Sequence, residues 1–124
     1  MGFLKRTLAR LNESDEARLA EETKAWAAAA VPDSVRIAEA PARKRVKLAG
    51  VVRRITVRPV HGFDALQVQL YDGTGDVAVL WLGRRSIPGL TLGSRLTVEG
   101  MLGVEQGQRR IVNPTYEYLP PPES

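Results

Sequence analysis

The stretch from Leu66 to Leu82, LQVQLYDGTGDVAVLWL, constrains the fold more than any other part of the chain. Leu66, Val68 and Leu70 alternate with Gln67, Gln69 and Tyr71, the period of a strand that turns one face to a core and keeps the other polar. Asp72-Gly73-Thr74-Gly75 is a turn, because Asp can bond the backbone ahead of it and each Gly admits a positive φ. Two strands joined by such a turn form a hairpin. Val77, Val79 and Trp81 then alternate with Ala78, Leu80 and Leu82, so the second strand is apolar on both faces. One face fills the core, and the other must meet a ligand, the chain's own helix or a second chain.

The rest of the chain frames this hairpin. Residues 1–31 read as a helical extension, with Phe3, Leu4, Leu8 and Leu11 at helical spacing. A polar break at Asn12-Glu13-Ser14 follows, with Ser14 as N-cap of a second helical stretch that carries Leu19 and Trp26 and ends at Pro32. Residues 32–42 read as a linker with little periodicity. From Val46 to Arg58 apolar and polar residues alternate with a slip near Gly50, the pattern of a long strand that bends to serve two sheets. Arg95–Leu102 is a fourth strand, and 109–119 a fifth, interrupted at Pro114. Residues 120–124 are a proline-rich tail. Five short strands with a bent first strand predict a mainly β domain over residues 43–119, a closed Greek-key barrel with an N-terminal α-helical extension.

Composition removes several function classes. The chain of 124 residues has no cysteine and one histidine, His61, which leaves little material for a zinc site or a Ser-His or Cys-His pair. Asp72 and Asp76 belong to the turn, with no third ligand near them in sequence. No phosphate-cradling G-x-x-x-x-G-K-[ST] loop is present. The reading is of a non-enzymatic protein without cofactor or metal. The longest apolar run, Ala25–Val31, is far short of the roughly 20 residues of a membrane-spanning helix, so we expect a cytoplasmic protein without membrane attachment. The net charge of +4 is uneven: residues 1–40 hold six basic and seven acidic side chains, and residues 41–124 hold twelve and seven. A basic surplus in the strand-rich part favours a polyanionic partner.

The series V-x-L-x-G-x-V at 46–52, L-x-D-G-T-G-x-V-x-V-x-W at 70–81, G-S-R-L-T-V-E-G at 93–100 and I-V-N-P-T-Y-E-Y-L at 111–119 resembles the OB-fold nucleic-acid-binding family. The likeness is to the anticodon-binding domains of class II aminoacyl-tRNA synthetases and to the wedge domain of the RecG helicase, and it covers about residues 44–119. It implies a five-stranded OB barrel that binds single-stranded DNA or RNA across strands two and three, flanked by the loops after strands one and four. Onto those positions fall Arg53, Arg54 and Arg58, then His61 and Phe63, then Gln67, Gln69 and Tyr71. Arg109 and Arg110 lie beside the second loop, and Arg84 and Arg85 extend the track beyond strand three. Arginines neutralise phosphates, rings stack on bases and glutamines bond base edges. The alternative is an adaptor module in which the apolar outer face, Ala78, Leu80 and Leu82, meets a protein partner or a second copy, or is covered by the N-terminal helix through Leu8, Leu11, Leu19 or Trp26.

Overall fold

The hairpin forms in the register its alternation predicts. A computed structural model describes residues 2–121, with side chains from Ser14 onward. Strands β2 (Phe63–Tyr71) and β3 (Asp76–Leu82) pair antiparallel, with Leu66 opposite Trp81, Val68 opposite Val79 and Leu70 opposite Val77. All six side chains are buried. In the turn, Asp72 Oδ1 accepts hydrogen bonds from the Thr74 amide at 2.8 Å, the Gly75 amide at 3.2 Å and the Thr74 hydroxyl at 2.6 Å.

Strand β1 (Arg45–Val60) spans 16 residues. Its first half pairs with β4 (Arg95–Glu105) and its second half with β2. Gly50 lies where β1 changes partner: a Cβ there would come within 2.7 Å of the Tyr71 carbonyl oxygen and 2.8 Å of Leu70 Cγ, so only glycine allows the approach. The register shifts between Val52 and Arg54, which makes Arg53 the extra residue of a bulge. The strand continues through Pro59 to a two-residue turn, His61-Gly62, at φ of 50° and 83°. Positive φ at both central residues is the turn whose twist matches a hairpin.

Strands β5 (Gln108–Val112) and β6 (Thr115–Tyr118) replace the single strand expected over 109–119. The split falls at Asn113-Pro114. Asn113 takes a φ of 53°, its amide donates to the Leu80 carbonyl at 2.7 Å, and its Oδ1 accepts from the Leu82 amide at 2.9 Å. Strand β5 runs parallel to β3 and antiparallel to β4, while β6 pairs with β4 alone. Pairing of β1 with β4 closes the ring β1-β2-β3-β5-β4, a five-stranded barrel. Its interior is Leu48, Val52, Leu66, Val68, Leu70, Val77, Val79, Leu96, Val98, Leu102 and Ile111, each contributing about 1.5–3 kcal/mol by leaving water. Trp81 fills one end, packed edge-on against Tyr116 with centroids 5.5 Å apart, and its indole N–H donates to the Pro114 carbonyl at 3.2 Å.

A single helix, α1 (Gly2–Ala30), precedes the barrel. The expected break at Asn12-Glu13-Ser14 does not occur, because those residues are polar without being helix breakers and no proline or glycine interrupts the turn there. The helix ends before Pro32, as expected. Ala27 and Val31 pack with Trp26 on Ala49 of the outer face of β1. Helix and hairpin tip also touch: a Cβ on Gly73 would lie 2.2 Å from the Ala20 carbonyl oxygen. Leu19 is exposed, and the side chains of Leu8 and Leu11 lie outside the described residues. The described part of α1 therefore covers β1 and the hairpin tip rather than Ala78, Leu80 and Leu82.

Residues 31–44 cross the barrel as a strap. The Val35 amide bonds the Lys47 carbonyl at 2.9 Å, and Ile37, in the 3-10 turn Ile37–Glu39, is fully buried in the barrel cluster. Asp72 holds this segment with its second oxygen, which accepts from the Ile37 amide at 2.9 Å. Thr74 adds an acceptor for the Ala38 amide at 3.2 Å. Among the described residues, no helix is long and apolar enough to cross a membrane.

Candidate nucleic-acid interface

Residues opposite one another in a sheet share a face. The barrel register therefore aligns Arg54, Gln69, Ala78 and Arg110 in one outward row across β1, β2, β3 and β5. A second row runs Thr56, Gln67, Leu80 and Val112. Together they floor a groove made of two hollows, 320 and 140 Å³, which share Gln67, Ala78 and Gln108 as walls. The hairpin of β4 and β5 forms one bank through Glu105, Gln106 and Gly107, and β1 forms the other through Arg54, Thr56 and Arg58. Leu80 is covered at the bottom, only 2% exposed, so the apolar excess of β3 is largely groove floor.

Four guanidinium groups and two carboxylates, Asp76 and Glu105, line this groove. Arg58 Nη1 donates to Gln67 Oε1 at 3.0 Å, which orients the glutamine amide. Arg110 pairs with Glu105 across the turn. Arg109 turns the other way, donating from Nη2 to the Ala38 carbonyl at 2.8 Å and from Nε to Ala40 at 3.4 Å. It clamps the strap and keeps only part of its surface for a ligand.

The remaining predicted residues lie elsewhere. Arg53, rotated out by the bulge, lies 4.3 Å above the Tyr71 ring, and both line a separate hollow beneath α1. Phe63 is 69% exposed on the protruding β1–β2 hairpin, where His61 forms the turn. Arg85 is paired with Asp64 at 2.9 Å, and Arg84 is exposed at the end of β3. The structure thus brings together Arg54, Arg58, Gln67, Gln69, Arg109 and Arg110, and separates them from Arg53, Tyr71, His61, Phe63, Arg84 and Arg85. No aromatic ring lines the groove among the described residues. In the basic run at 43–47, Arg45 pairs with Glu99 at 3.0 Å and Lys47 with Asp33 at 3.1 Å.

Sequence reasoning did not reach Thr56, Asp76, Glu105 and Gln108. Thr56 was legible as the residue between Arg54 and Arg58 on the same face of β1. Gln108 lies just before the strand expected over 109–119, whereas β5 begins with it and sets it on the groove wall.

The barrel is an OB fold: a bent first strand shared by two pairings, an antiparallel meander, and closure through β3–β5 and β1–β4. A solved structure of RecG bound to a three-way DNA junction superposes with a TM-score of 0.58 at 17% identity, covering 67% of this chain and 12% of that one. The chain thus spans about an eighth of the protein it matches there. A structure of a replication protein A heterotrimer bound to single-stranded DNA matches with a TM-score of 0.48 at 17% identity, over 78% of this chain and 79% of the other. The chain matches no protein-family model and no curated protein sequence.

Proposed function

We propose that this protein binds single-stranded nucleic acid, DNA or RNA, along the groove across β2 and β3. The observation that carries the reading is the convergence of Arg54, Arg58 and Arg110 on a floor presenting Gln67 and Gln69. Guanidinium forks suit phosphate oxygens, and the glutamine amides can bond base edges that only an unpaired strand exposes. The fold likeness to RecG, solved with a DNA junction, supports the same reading. With no ring among the described residues of the groove to stack on bases, affinity rests on backbone electrostatics and sequence preference is limited. The protein is read as a binder, not a catalyst.

Fluorescence anisotropy with labelled oligonucleotides, single-stranded and duplex, at low and high salt tests this. Binding should favour single strands and fall steeply with salt, and Arg54→Glu with Arg58→Glu should remove it. Affinity indifferent to salt and to both reversals would refute the proposal. A second reading, contact with a protein partner or another copy, is supported by Leu82 and Val112, which remain 43% and 38% exposed beyond the buried Leu80. In that case Leu82→Ser abolishes association and the arginine reversals leave it intact.

A further inference from the structure

Val51 pairs on both sides, with Tyr71 of β2 and Arg95 of β4. Register therefore sets Tyr71, Val51 and Arg95 in one outward row, on strands about 5 Å apart. Beyond Val51 the bulge turns Arg53 back over the Tyr71 ring at 4.3 Å. On the far flank the Arg95 guanidinium lies 4.3 Å over the ring of Trp26 from α1. Helix α1 roofs the space between with Glu16, Leu19 and Thr23, enclosing a hollow of 380 Å³.

An arginine held flat on a ring keeps its N–H edges for another partner. Neither Arg53 nor Arg95 belongs to an ion pair among the described residues. Among the described residues Arg95 Nη1 is buried without a hydrogen-bond acceptor, a costly state for a charged donor. Burial also holds the Arg95 pKa below its ordinary value. Among the described residues Glu16 is the one carboxylate on the lining, so there two cations face a single negative charge. The Thr23 hydroxyl is spent on the Leu19 carbonyl at 2.8 Å, while Leu19 and Val51 supply apolar wall.

We propose that this hollow binds a phosphate monoester, carried either by a mononucleotide or by the end of a nucleic-acid strand. With Glu16 beside them the two guanidinium groups still leave a net positive charge, and a phosphate offers these forks more acceptor positions than a carboxylate. The apolar wall receives the body of the ester. The site is distinct from the groove: no residue lines both, and the bulge at Arg53 divides them. It stands whether or not the groove binds a strand.

The test is nuclear magnetic resonance on the full chain, following the Trp26 indole and arginine side-chain signals during titration with adenosine monophosphate, adenosine and inorganic phosphate. The two phosphates should move these signals and adenosine should not. Arg53→Ala, which leaves the Trp26 stack in place, should weaken phosphate binding about tenfold, and Glu16→Gln should tighten it. Anisotropy with 5′-phosphorylated, 3′-phosphorylated and unphosphorylated oligonucleotides separates the sources, since a strand end in the site makes one phosphorylated form bind tighter and a mononucleotide site treats all three alike. Arg110→Glu, on β5 and outside the lining of the hollow, should weaken groove binding and leave the phosphate shifts unchanged, which keeps the two readings distinguishable. Equal responses to adenosine and its monophosphate, or none to either, would overturn the proposal. So would a Glu16→Gln variant that lowers the melting temperature as much as Arg95→Lys and leaves phosphate binding unaltered, because the arginines would then only brace α1.

Discussion

The two outer faces of the barrel carry arginines in similar number and use them differently. On the face of β2, β3 and β5, Arg54, Arg58 and Arg110 stand over an open groove, and their protein partners are surface groups, Gln67 and Glu105. On the face of β1 and β4, helix α1 lies across Ala49, and Arg53 and Arg95 are stacked on Tyr71 and Trp26. The difference follows from what each face must bury. A helix that packs on β1 needs a small apolar contact there, Ala49, whereas no described part of α1 covers β3, whose outward Ala78 and Leu80 lie in a groove floor beside Gln67 and Gln69. What separates the two faces is the partner each guanidinium takes: a polar side chain for Arg58 and Arg110 in the groove, an aromatic ring for Arg53 and Arg95 beneath α1.

The contrast breaks most forcefully at the strap that borders both faces. Asp72→Ala removes the acceptor for the amides of Ile37, Thr74 and Gly75, leaving buried donors unsatisfied, and should cost about 3 kcal/mol in urea denaturation. Oligonucleotide affinity of the folded fraction should change little. Gly73→Ala adds a Cβ at a φ of 90° against the Ala20 carbonyl, and should cost about 2 kcal/mol while making α1 more sensitive to protease. Loss of nucleic-acid binding on loosening α1 would show that the covered face takes part.

Finer contrasts lie within the groove. Arg109→Ala should lower stability by about 1 kcal/mol, because the guanidinium holds the Ala38 and Ala40 carbonyls. Arg110→Ala should weaken oligonucleotide binding and leave stability almost unchanged, its pair with Glu105 being on the surface. The smallest effect belongs to Arg45→Ala, whose exposed pair with Glu99 should contribute under about 1 kcal/mol, with affinity altered only through overall charge.

Much of this was legible in the sequence, for identifiable reasons. The hairpin register follows from alternation at 66–82, and the two partners of β1 follow from the slip near Gly50. Gln67 and Gln69 could be assigned to one face from strand periodicity, whereas Arg54 and Arg58 were placed beside them by the resemblance to OB-fold domains. The bulge was foreseen only as a bend, and its exact position at Arg53 decides that Arg53 and Tyr71 leave the groove. The strap was invisible for another reason: Val35, Ile37 and Ala40 are too few to set a helix or strand period, and the docking of Ile37 depends on the second oxygen of Asp72, whose turn role accounts only for the first. The interruption of the last strand was legible at Pro114, but the bonds of Asn113 to Leu80 and Leu82 that make two strands of it are long-range and have no local signature.

The central claim is that Arg54, Arg58 and Arg110 form one electrostatic track for a single strand. Its most direct test is the slope of log affinity against log salt for a single-stranded oligonucleotide, measured for the wild type, for each alanine variant of these three and for Arg84→Ala. The account predicts that each of the three lowers the slope by roughly one phosphate contact, about 0.7 for a single strand, and that Arg84→Ala leaves it nearly unchanged. Equal slopes in all five proteins would contradict it.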